Sequence, residues 1–124
     1  MREPTPTTLL ALLLVCGAAQ ASDWVSIGKS DNGAREYFAD ISSIGITDDI
    51  RRAWIKTKIL PDKPFSLERL AFNCGKGTMR WEASTLYGIE ISDPVGSFPT
   101  PWKPIPPDTT GSVIMQFVCA WKSK

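Results

Sequence analysis

Residues 50–60 alternate strictly enough in chemical character to assign two faces, and no other stretch limits the fold as tightly. On an extended strand Ala53, Ile55, Thr57 and Ile59 share one side, and Arg52, Trp54, Lys56 and Lys58 share the other. A strand of this kind belongs in an antiparallel sheet that packs one face on a core and gives the other to solvent or a partner. The first set is expected to face the core, the second to face outward.

The neighbouring segments read the same way. The runs 24–27 and 35–39 flank Asp31-Asn32-Gly33, and Asn-Gly between two strand-like runs signals a hairpin. Residues 40–44 form a turn. Pro61-Asp62-Lys63-Pro64 ends the long strand, because proline has no N–H for the ladder and restricts the residue before it. In 65–74, period two groups Leu70, Phe72 and Cys74 inward. Gly75-Lys76-Gly77 turns the chain into a returning strand, 78–87, with Met79, Trp81, Ala83 and Thr85 expected on one face. Residues 89–91 continue it after a break at Gly88. No repeat or linker suggests a second domain.

The stretch 94–107 holds six prolines and little periodicity. It is expected to run extended over the surface, with Phe98 and Trp102 available to cover the sheet. The final element is ambiguous by pattern. Val113, Met115, Phe117 and Cys119 alternate as in a strand, whereas Ile114, Phe117, Val118 and Trp121 fit one helical face. Asp108 and the threonines after it are suited to capping a helix, and the prolines upstream permit a start there. Gly111 and the branched residues count against the helix.

The amino-terminal end carries an address. Residues 9–15 are an unbroken apolar run after a short start containing Arg2, and Ala19-Gln20-Ala21 follows as a small-residue cleavage pattern. The expected organisation is a signal peptide over 1–21 and a single domain over 22–124, working outside the cytoplasm in the periplasm, at the cell surface or in the medium. A competing reading makes Leu13-Leu14-Val15-Cys16 a lipoprotein box, with the chain tethered to a membrane through Cys16. Branched Val15 suits the apolar core better than a tight peptidase pocket. With Cys16 removed, Cys74 and Cys119 remain as an even pair in an oxidising compartment, which favours one disulfide. The alternative is two buried free thiols packing as small hydrophobes.

Composition removes several functions. A formal charge of +1 gives no reason to expect a nucleic-acid partner. The chain has five tryptophans and no histidine, so it lacks the commonest general base and the commonest zinc ligand. The segments 22–29 and 66–68 offer serines with lysine or glutamate but no catalytic spacing. Asp48-Asp49 suits turn chemistry, and the carboxylates Glu68 and Glu82 suit solvated strand positions better than glycoside cleavage. Gly75-Lys76-Gly77-Thr78 lacks the full spacing of a phosphate loop. The expectation is therefore no enzyme and no cofactor. The outward row Arg52, Trp54, Lys56 and Lys58 is the candidate protein-contact face, mixing cations with a large aromatic. It also reads as a solvated sheet face whose lysines discourage edge pairing.

Short pieces in fixed order add a resemblance. Glu36-Tyr37-Phe38-Ala39-Asp40 followed by Ser43-Ile44, then Phe72-Asn73-Cys74, Tyr87-Gly88, Pro107-Asp108-Thr109-Thr110, Gln116 and Cys119-Ala120 resemble the bacterial surface-adhesin protein E family. The resemblance spans nearly all of the chain after the signal. It implies an α+β fold, an antiparallel sheet of about five to six strands with one carboxy-terminal helix packed on it. It also implies export by a Gram-negative bacterium. On that fold Cys119 lies late in the helix and Cys74 near a strand end, so a bridge pins helix to sheet. Relatives of the adhesin type bind host matrix and plasma proteins. The alternative is a small periplasmic structural or inhibitory envelope factor. In both cases the partner is a protein, and a membrane enters only through Cys16.

Overall fold

The computed structural model describes residues 21–59, 65–87 and 98–122. The apolar run 9–15, Cys16, the proline turn 61–64 and the continuation 89–91 lie outside the described residues. Among the described residues the chain forms an antiparallel sheet and one helix. The strands are β1 (Trp24–Ser30), β2 (Arg35–Asp40), β3 (Gly45–Thr47), β4 (Ile50–Ile59), β5 (Phe65–Asn73), β6 (Thr78–Tyr87) and β7 (Lys103–Pro104), and the helix is α1 (Thr110–Ala120). The sheet runs β1-β2-β4-β5-β6-β7, with β3 also paired to β4. Two short strands, β3 and β7, extend the expected count.

Local chemistry sets the turns. Between β1 and β2, Asn32 at φ 56 and Gly33 at φ 88 supply the left-handed backbone that a tight reversal needs. Strand β4 takes β2 along Ile55 to Ile59 and β3 along Ile50 to Arg52. Where the two partners part, the Trp54 N–H donates to the Ser43 hydroxyl at 3.0 Å, so no backbone donor is stranded in the gap. Asp40 fixes the intervening turn by accepting from the Ser42 N–H and hydroxyl.

The proline-rich stretch joins the sheet edge instead of merely crossing the surface. Pro104 lies opposite Thr78, and the Thr100 and Ile105 N–H groups donate to the Trp81 and Gly77 carbonyls. Proline is tolerated there because an outermost strand need not donate on both sides. Of the two aromatics expected to cover the sheet, Trp102 does so, stacked 4.7 Å from the Arg80 guanidinium. Phe98 is 38% exposed.

A bulge corrects the facing of β6. Leu70 pairs with Trp81 but Arg69 pairs with Ala83, leaving Glu82 as an inserted residue. Met79 and Trp81 share the inner face as expected. Past the bulge the alternation is reset, so Ala83 and Thr85, paired with Arg69 and Leu67, lie on the outer face. Simple period two cannot anticipate an extra residue.

The inner face receives the helix. Ala39, Ala53, Ile55, Leu70, Phe72 and Met79 from the sheet are buried with Ile114 and Val118 of α1. The helical reading of the last element holds because Thr109 caps it. Its hydroxyl accepts from the Ser112 N–H at 3.2 Å while donating to the Pro106 carbonyl. At the other end Arg51, projecting inward beside Ala53, donates to the Val118 and Trp121 carbonyls, placing a cation at the negative end of the helix dipole. The Cys74–Cys119 disulfide joins the end of β5 to the last turn of α1, with Cα atoms 5.9 Å apart.

Closing a loop with a sequence separation of 45 is expected to stabilise by about 4 kcal/mol in the chain-entropy model. The double variant Cys74→Ser/Cys119→Ser should lose stability of that order in denaturant unfolding. Thr109→Ala should lose about 1 kcal/mol through the cap alone, with the sheet's spectral signature unchanged.

Candidate functional site

The face opposite α1 is built around the outward row of β4. Register sets Phe38 beside Lys56 and Glu36 beside Lys58 on one flank, and Leu67 and Phe65 beside the same two lysines on the other. The Lys56 ammonium lies 4.6 Å from the Trp24 ring, 5.5 Å from Phe38 and 5.9 Å from Phe65, and Lys58 stands 6.0 Å from Phe38. Each ring face attracts the cation through its quadrupole. Trp54 is half-buried and lines a shallow groove of about 230 Å³ with Ser22, Trp24, Asp40 and Leu67.

Arg52 plays a different part. Its Nε donates to both Glu82 carboxylate oxygens, at 2.9 and 3.2 Å, and Arg80 donates to the same carboxylate at 3.0 Å. Arg69 stands 3.8 Å away. Glu82 reaches all three because alternation from inward Trp81 already points it outward, and the bulge keeps it beside Arg69 without a partner of its own in the register. Burial pushes the Glu82 carboxyl upward, but hydrogen bonds and charge from Arg52 and Arg80 outweigh it and hold the group below its ordinary 4.5. Asp40 behaves alike: burial raises it, and the Ser42 hydroxyl with the Asp23 and Ser42 backbone N–H groups brings it below 3.8.

The four outward residues of β4 therefore divide. Lys58 is exposed, Lys56 is held among rings, Trp54 walls a groove and Arg52 is tied into an ion-pair network. Sequence reading missed Trp24, Phe38 and Phe65 as members of this face. Each belongs to a different strand, and only register brings them around Lys56.

The other residues considered for chemistry do not converge. Glu68 lies on the inner face, between Ile55 and Ser84 in register, while Glu82 lies on the outer one, so they form no carboxylate pair. Asp48 adopts φ 54 in the β3–β4 turn, and the Asp49 carbonyl accepts from the Cys74 N–H at 2.9 Å. Gly75-Lys76-Gly77 is an ordinary turn held by Asn73, whose side chain accepts from the Lys76 N–H at 3.0 Å, and Thr78 already pairs in β6. Among the described residues no three potential metal ligands come together.

The depressed carboxylates set a pH dependence. A group whose native pKa lies below its unfolded value contributes fully above the unfolded value and loses that contribution as pH falls through the native one. Glu82→Gln should therefore cost stability near neutral pH, and its deficit relative to the parent should shrink as pH drops below about 4.5. Denaturant unfolding at neutral and acid pH measures both limbs.

No curated protein and no solved structure matches the chain significantly. One family model does, that of surface-adhesin protein E, over residues 24–120. That match begins at the first residue of β1 and ends at the last residue of α1, so it takes in the whole sheet, the helix and both bridged cysteines. The chain belongs to the surface-adhesin protein E family.

Proposed function

We propose that this chain is an exported, non-enzymatic protein-binding module that attaches to a host matrix or plasma protein through the sheet face opposite α1. The observation that carries the reading is the clustering of Trp24, Phe38 and Phe65 around the Lys56 ammonium, next to half-buried Trp54. Aromatic and cationic side chains on one rigid surface are the types that dominate protein-contact energetics. Rigidity lowers the entropy lost on docking, and here the face is a paired sheet braced from behind by a disulfide-anchored helix. Exposed Lys58 and Arg69 add a positive rim suited to an acidic partner surface. Family membership supports the adhesive role, and the apolar run followed by Ala19-Gln20-Ala21 supports cleavage after residue 21 and export.

The mature domain, residues 22–124, is tested as wild type and Trp54→Ala against immobilised matrix and plasma proteins. Binding should weaken by at least about tenfold in the variant, with an unchanged unfolding midpoint. Loss of fold in Trp54→Ala would make that tryptophan a core residue and remove it from the contact face. Protease shaving of intact cells checks the location: a surface adhesin is cleaved, whereas a protected pool favours the periplasmic envelope factor.

A further inference from the structure

The helix leaves part of the inner face uncovered, and the opening is a built pocket. A cavity of about 370 Å³ lies between the first turns of α1 and strands β2, β4, β5 and β6, within the range typical of small-molecule sites. Its walls are mainly apolar, with Ile55, Ile59, Leu70 and Ile114 contributing aliphatic surface and Tyr37 and Trp81 contributing rings. The Tyr37 hydroxyl already shares a hydrogen bond with Ser30 at 2.7 Å.

Within that lining stands one carboxylate. Glu68 sits on the core-facing side of β5 at a position where alternation calls for an apolar residue, two residues before buried Leu70. The Trp81 indole N–H donates to one of its oxygens and the Ser66 hydroxyl lies 3.4 Å from the other. A carboxylate accepts about four hydrogen bonds, so these donors leave acceptor capacity on the pocket side. Arg35 also lines the cavity, but it lies opposite Ile59, four residues along β4 from the Ile55 that faces Glu68, and is engaged in an interaction of its own. Thr110 and Gly111 bring the positive end of the helix to another wall, so the acidic character is local to Glu68.

We infer that this pocket binds a small organic cation, an apolar or aromatic body carrying one protonated amine, with the ammonium on Glu68 and the body against the aliphatic and aromatic walls. An ammonium supplies the donors that Glu68 accepts, and a charged donor on a carboxylate is stronger than a neutral one. This site lies on the face opposite the proposed protein contact and does not depend on it.

The test uses the mature domain with three matched probes: phenethylammonium, phenethyl alcohol and 3-phenylpropionate. The readout is the Trp81 indole N–H resonance, identified by its loss in Trp81→Phe and reporting directly on the Glu68 hydrogen bond. Phenethylammonium should shift it saturably, with the alcohol and the carboxylate weaker by at least about tenfold. Glu68→Gln should cost a similar factor while the amide spectrum stays dispersed, and Thr57→Phe, which fills the floor, should abolish the response. If Glu68→Gln fails to fold, the three probes on the wild-type domain still decide. Equal binding of amine and alcohol would reduce Glu68 to a prop for Trp81, preference for the carboxylate would hand the site to the helix end, and absence of a saturable shift would remove it.

Discussion

One helix end carries the architecture. Cys119 is bonded to Cys74 at the end of β5, and one turn of backbone away Arg51 reaches from β4 to the last carbonyls of α1. Both attachments act on the same terminus, so the helix is clamped where β4 begins and β5 ends. Its first turns rely on Thr109 and on packing of Ile114. The hydrophobic contribution of an eleven-residue helix burying few large side chains is modest, and a covalent link of roughly 4 kcal/mol is a large share of a small domain's net stability.

Clamping one end has a geometric consequence. The buried inner face is densest at Ala53, Leu70 and Phe72, toward the clamp, whereas Thr57 and Ile59 farther along β4 are only half-buried. The same strand thus floors a packed core at one end and an open cavity at the other. Alternation told which side of β4 faces inward but not how far the helix would reach along it.

Alternation along β6 divides the remaining chemistry between the faces. Met79 and Trp81 point inward and Arg80 and Glu82 outward, and the bulge resets the phase only from Ala83 on. Glu82 thus meets Arg52, Arg69 and Arg80 outside, while Trp81 turns to Glu68 inside. Two glutamates that look alike in the sequence thereby acquire unrelated environments. One neutralises part of a strongly basic surface, and the other is an acidic group in an apolar hollow.

The sequence alone indicated the strand periods, the Asn32-Gly33 reversal, the inward side of β4 and the pairing of Cys74 with Cys119, because these follow from local sterics, alternation and counting. By pattern alone it favoured a helix over a strand for the last element only slightly, and it misplaced Ala83 and Thr85. Tertiary structure decided those, since a cap, a bulge and an edge pairing each depend on what lies across the fold. It also decided the functional surfaces. The rings around Lys56 come from β1, β2 and β5, and the walls around Glu68 come from four strands and a helix, so their convergence is a property of register and curvature that no linear spacing records.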